Sequence, residues 1–444
     1  MTRTVPYHAP VIVSKMQTLL ILAAFVGLIL AVPAAAQTKS PIVIQCERIK
    51  TAIIPLRAVA PVKKLPWTRT MGLQGMDRFI AATAGAHGTL LLWGESRPYD
   101  IQTQKAKQRS LYRVVLDAKG KVQAETRITL SEEGTLQDVV AMGARFYALD
   151  RLVNGTFVLR GFDGNGKLPP PIKLDGLVSA IVADGSHHMM VLGQTQDKTA
   201  SLRRISLPDG KASWTRLYMP GTEGELAGAV KLADQTWIIT GRVKQSDRAD
   251  APFQGWIMNL AANGAIMAQQ FYPRGDAAGL TQAIRLDNGD ILAAGTVLGA
   301  NQARSPSLWV MRMTTSGDMI WQRHITGPYA LRPVTLQNLK DGRLVILANA
   351  AAIDVNAVGR GQVRRLVFTP RGELIDHQAF QDGVLTTASQ SIAPQTADKP
   401  ALLLGSSQTG FVEENSTQER SDAALDAWVV ALPPLSLYTD PCLK

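Results

Sequence analysis

An all-β fold, a seven-bladed β-propeller, is what this sequence predicts, and three observations predict it. The first is a repeated turn. A β-like run ends in a short turn closed by Gly, and a second β-like run follows: Leu116-Asp-Ala-Lys-Gly120, Phe162-Asp-Gly-Asn-Gly166, Leu207-Pro-Asp-Gly210, Leu260-Ala-Ala-Asn-Gly264, Met313-Thr-Thr-Ser-Gly317 and Phe368-Thr-Pro-Arg-Gly372. The turn glycines are 44 to 55 residues apart, a period that suits propeller blades of four short strands. The second observation is that four strand columns align across the repeats. The third lies at the ends of the chain. The last unit has a third strand at Trp428 but no Gly turn or fourth strand, while Pro66-Trp67-Thr68-Arg69 matches the fourth strands Trp214-Thr-Arg216 and Trp321-Gln-Arg323. An N-terminal strand that completes the last blade closes the ring and removes open sheet edges.

In chain order, residues 1–36 read as an export signal. Arg3 and Lys15 are its only charges, Leu19–Val32 is its apolar run, and Ala34-Ala-Ala36 offers a cleavage site before Gln37. The alternative is an uncleaved membrane anchor, and Met16 is an alternative start. Residues 37–64 form an N-terminal extension with Cys46. Residues 65–436 hold the propeller, with units at 71–134, 135–177, 178–225, 226–279, 280–330, 331–384 and 385–436. Residues 437–444 form a tail with Cys442. Two cysteines in an exported chain favour a Cys46–Cys442 disulfide, and the shared last blade brings the two ends towards each other.

Within each unit the first column is a strand such as Leu280-Thr-Gln-Ala-Ile-Arg-Leu286. The second ends in Gly: Leu92-Trp-Gly94, Val191-Leu-Gly193, Ile239-Thr-Gly241, Ala293-Ala-Gly295 and Leu404-Gly405. Gly at a fixed strand end permits a bulge or a close backbone approach. Unit two departs from the pattern with Leu149-Asp150. The third column is Leu111–Leu116, Trp256–Leu260, Trp309–Met313 and Trp428–Leu432. The fourth carries Trp67, Trp214 and Trp321, read as packing residues between blades.

The stretch Trp309-Val-Met-Arg-Met-Thr-Thr-Ser-Gly-Asp-Met-Ile-Trp-Gln-Arg323, with Gly289-Asp-Ile-Leu-Ala-Ala-Gly295, resembles the quinoprotein-like and delta-60-type repeats of bacterial exported propellers. The resemblance covers most of 65–436 and implies a fold and a compartment, but no single activity. Quinone-dependent dehydrogenases share a related propeller and need adjacent cysteines, which are absent here. No cofactor is therefore expected.

No catalytic or metal site is legible. His187-His188 are neighbours on a strand and point to opposite faces; His87, His324 and His377 are isolated, with His324 placed towards the outside by its column. Asp163-Gly-Asn-Gly166 lacks the further oxygen ligands of a calcium loop. No nucleophile elbow, phosphate loop or His-Glu metalloprotease motif occurs. The formal charge of +11 is scattered, which argues against nucleic acid as a partner.

The loops carry more signal. Between second and third strands the connections are long at Ser96–Ser110, Val243–Gly255, Val297–Ser307, Ala350–Gln362 and Gln408–Ala427. Antiparallel order brings them out on one face, together with the links between units. Such loops on a rigid ring are places for binding; tolerated insertion is the alternative. The first loop is basic (Arg97, Lys105, Lys107, Arg109) and the last acidic (Glu413, Glu414, Glu419, Asp422), so the two are expected to meet where units one and seven adjoin. The expectation is a periplasmic or secreted, non-catalytic scaffold that binds an envelope protein or a small ligand. It contacts the membrane only if the signal is retained. The alternative is a hydrolase, lyase or oxidoreductase with a site at the axis, although first strands such as Phe79-Ile-Ala-Ala-Thr83 are apolar and only Lys231 and Arg285 stand out.

Overall fold

A computed structural model describes residues 50–72, 75–85, 89–100, 105–143, 145–163, 170–299, 306–352, 361–383, 385–393, 400–408 and 425–436. Cys46, Cys442, the signal segment and the acidic loop residues Glu413, Glu414, Glu419 and Asp422 lie outside them. Every regular element described is a strand, and no described helix is long and apolar enough to cross a membrane.

Two strands lead, β1 (Thr51–Pro55) and β2 (Trp67–Met71). Antiparallel meanders follow. The first runs through β3 (Gly75–Ala84), β4 (Leu90–Asp100), β6 (Ser110–Leu116) and β7 (Val122–Thr129), with the two-residue β5 (Lys105–Ala106) turned back on β4. Then come β8 (Gly134–Met142), β9 (Arg145–Leu152), β10 (Phe157–Phe162) and β11 (Ile172–Leu174); β12 (Leu177–Asp184), β13 (His188–Gln194), β14 (Ala200–Ser206) and β15 (Ala212–Tyr218); and β16 (Glu223–Lys231), β17 (Trp237–Lys244), β18 (Phe253–Leu260) and β19 (Ile266–Tyr272). The next are β20 (Ala277–Arg285), β21 (Ile291–Leu298), β22 (Ser307–Met313) and β23 (Met319–Thr326), then β24 (Tyr329–Asn338), β25 (Leu344–Ala352), β26 (Gly361–Phe368) and β27 (Leu374–Phe380). Last are β28 (Leu385–Ile392), β29 (Leu402–Gln408) and β30 (Asp426–Ala431).

The final meander takes its fourth strand from the other end of the chain. β2 pairs antiparallel with β30, Trp67 opposite Ala431 and Met71 opposite Ala427, as the Pro66–Arg69 match leads one to expect. The segment before it, an extension by sequence, is also structured. β1 lies parallel along β23, with Ile53 opposite His324, and Val62 N–H donates to Ala379 O on β27 (2.9 Å). The arm thus runs along the outer edges of two meanders before it completes a third.

Apolar clusters sit between consecutive meanders, so the middle strands are buried on both faces and read as near-continuous hydrophobic runs. Leu149, Phe157 and Leu159 pack on Val191 and Ile205; Leu292 and Val310 pack on Ile346 and Leu366. Leu404 and Val429 pack on Leu92 and Val114, joining the last meander to the first.

The second-column glycines have a geometric cause. Each first strand carries a bulge, for example between Leu280 and Gln282. The second-strand glycine faces it so closely that a Cβ on Gly94, Gly193, Gly241, Gly295 or Gly405 would lie 1.8–2.1 Å from a first-strand carbonyl oxygen. The fourth-column tryptophans lie on turn glycines of the following meander. Trp67 covers Gly120, Trp214 covers Gly264 and Trp321 covers Gly372, each glycine at φ between +75° and +81°.

Candidate functional site

Antiparallel order sends the β4–β6, β9–β10, β13–β14, β17–β18 and β21–β22 connections out on the same side as the links between meanders. Among the described residues, a larger and a smaller cavity open on this side. The larger, about 700 Å³, lies between the β8–β11 and β12–β15 meanders. Its walls include Asn154, Asp175, Leu177, Thr195, Gln196, Ser201, Arg203, Thr215 and Leu217. The smaller, about 210 Å³, lies between β16–β19 and β20–β23 and includes Glu225, Arg242, Phe253 and Thr281. There Arg242 pairs with Glu225 (2.8 Å) and lies over the Phe253 ring (4.6 Å).

The basic loop of the first meander divides into two environments. Arg97 lies on β4 and pairs with Glu95 (2.9 Å). Lys105 opens β5, and Lys107 is exposed, its N–H bonded to Pro98 O (2.8 Å). Arg109 is placed differently from its reading as a partner-binding loop residue: it is 1% exposed. Its Nη1 donates to Asp150 Oδ1 (2.9 Å), its Nη2 to Asp150 Oδ2, and its Nε to Glu132 O (2.7 Å). Burial opposes the charge of Arg109, but Asp150 and Glu95 outweigh it and hold the guanidinium above its ordinary pKa.

Asp150 stands where five other meanders have glycine. Its carboxylate also accepts from Arg160 Nε (3.3 Å), and Arg160 pairs in turn with Glu132. Glu95 gathers Arg78 (3.0 Å), Arg97 and Arg109 (3.4 Å) and accepts the Leu136 N–H (3.2 Å). This network fastens the first two meanders together beneath the loop side. The sequence signal for it was the departure from Gly at position 150.

The bases of the basic and acidic loops come together. Leu425, directly after the acidic segment, exchanges backbone hydrogen bonds with β3, the first strand of the first meander: Asp77 N–H to Leu425 O (2.6 Å) and Leu425 N–H to Gly75 O (3.0 Å). Met76, between them, is opposite Arg97 on its other side. Leu425 and Arg97 are therefore two strand spacings apart, about 10 Å.

The first strands hold more polar chemistry than the sequence reading allowed. Asp138, on β8 at the bulge, is half-buried by surface exposure yet closely surrounded by protein. This desolvation pushes its carboxyl up to about 6, against the pull of the Val139 N–H (2.7 Å). Lys231 pairs with Asp184 (2.7 Å), which also takes Arg204 (2.7 Å); the two bonds outweigh desolvation and keep Asp184 below its ordinary value. Among the described residues, no group of three His, Cys, Asp or Glu is placed to hold a metal ion.

His324 sits on a fourth strand as its column requires, but β1 covers it and it is buried, stacked on Trp309 (centroids 6.1 Å, interplanar angle 7°). Burial and then Arg274 pull its pKa below the ordinary value. Burial and then Arg364 do the same to His377. Unfolding returns both to about 6.5, so the unfolded chain binds more protons as pH falls. The stability they contribute is present above that value and is lost as pH drops through their folded pKa values. Asp138 acts in the opposite sense, since its raised pKa favours the fold on acidification. The melting temperature is expected to fall between pH 7.5 and 5.5, and to fall less in His324→Gln. An equal fall in the variant would exclude His324 as a source of the acid sensitivity.

No family model matches this chain, and no curated protein matches it. Among solved structures, a protein of unknown function from Bacteroides caccae aligns over 69% of this chain and 94% of its own, with 11% identity and a TM-score of 0.40. The AfRom2 CNH domain aligns over 84% and 100%, with 11% identity and a TM-score of 0.42. The β-propeller domain of the Trilobed protease from Pyrococcus furiosus, described as having an open velcro topology, aligns over 82% and 100%, with 9% identity and a TM-score of 0.44. At these scores the likenesses carry no weight for function. The resemblance to quinoprotein-like and delta-60-type repeats rests on the residues that suggested it.

Proposed function

We propose that the chain is an exported, seven-bladed β-propeller that serves as a non-catalytic binding scaffold, with its partner docking on the long-loop face. Several contacts support the blade count and a closed ring. The first strand of each meander packs on the next, from β3 through β8, β12, β16, β20 and β24 to β28, and β28 packs on β3. Trp67 reaches from the last blade to Gly120 of the first. Export, cleavage after Ala36 and a Cys46–Cys442 bond belong to the same reading, and mass spectrometry of the mature protein tests all three.

The observation that carries the scaffold reading is the meeting of loop bases at the seam, where Met76 bridges Leu425 on one side and faces Arg97 on the other. It supports a docking surface shared by the basic and acidic loops. Crosslinking and co-purification from the native envelope, with the intact protein and with a variant lacking Gly410–Asp422, test it. A partner held by the first and lost from the second is expected. Equal capture by both rules out this face, and capture by neither rules out the scaffold.

A second reading, an enzyme with an axial site, is favoured by Asp138 alone, a carboxyl near pKa 6 on an innermost strand. It requires an activity that Asp138→Asn abolishes.

A further inference from the structure

The five long loops belong to the other meanders. The β9–β10 and β13–β14 connections are short turns, through Asn154-Gly155 and through 195–199, and they belong to neighbouring meanders. The 700 Å³ cavity lies between these two meanders, a volume suited to a small molecule. Its wall on the β14–β15 side consists of two adjacent cross-strand pairs, Ser201 opposite Leu217 and Arg203 opposite Thr215. Deeper along the same sheet face, Ile205 belongs to the apolar cluster shared with the preceding meander. The interface therefore changes from apolar to polar where it reaches the cavity, with one guanidinium at the change.

That guanidinium is poorly compensated. Arg203 Nη2 donates to Asp175 O (2.7 Å), the carboxylate of Asp175 is 4.0 Å from Nη1 and exposed, and Nε is buried with no acceptor. Burial lowers the Arg203 pKa, and Asp175 only partly offsets it. A planar fork short of acceptors matches a carboxylate. Two leucines flank it, Leu177 (49% exposed) and Leu217 (59% exposed), and offer apolar surface to the rest of a ligand.

We propose that this cleft binds a small organic carboxylate with an apolar body, the carboxylate on Arg203 and the carbon frame against Leu177 and Leu217. The site is independent of the loop seam between the first and last meanders and does not rest on the scaffold reading. Isothermal titration of the full chain at fixed ionic strength, with hexanoate, glucuronate and inorganic phosphate, tests it. Saturable binding of hexanoate, tighter than glucuronate or phosphate, is expected. Arg203→Gln should weaken it about tenfold or more and Arg203→Lys by less, because the charge stays while the fork is lost. Asp175→Asn should tighten it by about threefold, because a competing carboxylate is removed. Arg203→Lys and Asp175→Asn keep the test open if Arg203→Gln fails to fold. No saturable heat with hexanoate, preference for phosphate or glucuronate, or weaker binding by Asp175→Asn would each overturn the proposal.

Discussion

Asp150→Ala is expected to lower stability by about 3–5 kcal/mol, the range for breaking a buried pair from one side. Both partners are 1% exposed. Without Asp150, Arg109 keeps a longer contact to Glu95 (3.4 Å), and Arg160 keeps Glu132, which is half-exposed. Asp150→Gly would place there the residue common at this position in other meanders, yet should cost as much, because it likewise takes the carboxylate away from Arg109 and Arg160. The double variant Asp150→Ala/Arg109→Leu should recover much of the loss, because apolar replacement of a whole buried pair is often neutral. Denaturant midpoints of the two single variants and the double form the cycle. A loss below about 1 kcal/mol in Asp150→Ala would mean the pair is solvated.

The second large effect is expected at Gly295. A methyl group there would sit 1.8 Å from Gly279 O and 2.7 Å from the Leu280 Cα. Only separation of β20 from β21 can relieve that contact, and both neighbouring atoms are main chain. Gly295→Ala should therefore cost more than the 1–3 kcal/mol typical of overpacking. Gly289 provides the contrast. It has open space around its Cβ position but φ of +91°, so Gly289→Ala should cost about 1–2 kcal/mol from backbone conformation alone. Thermal and denaturant unfolding of the two variants should rank them in that order, and the reverse order would contradict the close approach at the bulge.

Much of the fold was legible because its period is written in residues with one physical job. Gly120, Gly264 and Gly372 supply positive φ and room for a ring; Gly94 and Gly405 supply room for a carbonyl. Trp67 could be assigned to the last meander because it repeats Trp214 and Trp321 in a column that was otherwise vacant. Features that occur once were not legible. β1 has five residues and no counterpart in the repeat, so neither its pairing with β23 nor the burial of His324 could be read. Arg109 looks like one more cation in a basic loop, and only its distance from Asp150, 41 positions on, shows that it faces inward. The Arg203 cleft depends on two loops being short, a feature that no repeated residue marks. Asp138 is not legible because an acidic residue on one first strand breaks no spacing rule.

The pairing of β2 with β30 also bears on how the chain is assembled. Trp428 Nε1 donates to Thr68 Oγ1 across 360 positions, a contact order far beyond that of the local hairpins on which folding begins. A chain made from its N-terminus carries β2 as an unmated edge through nearly all of its synthesis, and the last sheet cannot be completed until β30 is released. Residues synthesised early are thus among the last to settle, and a product cut short anywhere before β30 retains an open edge on which another chain can pair.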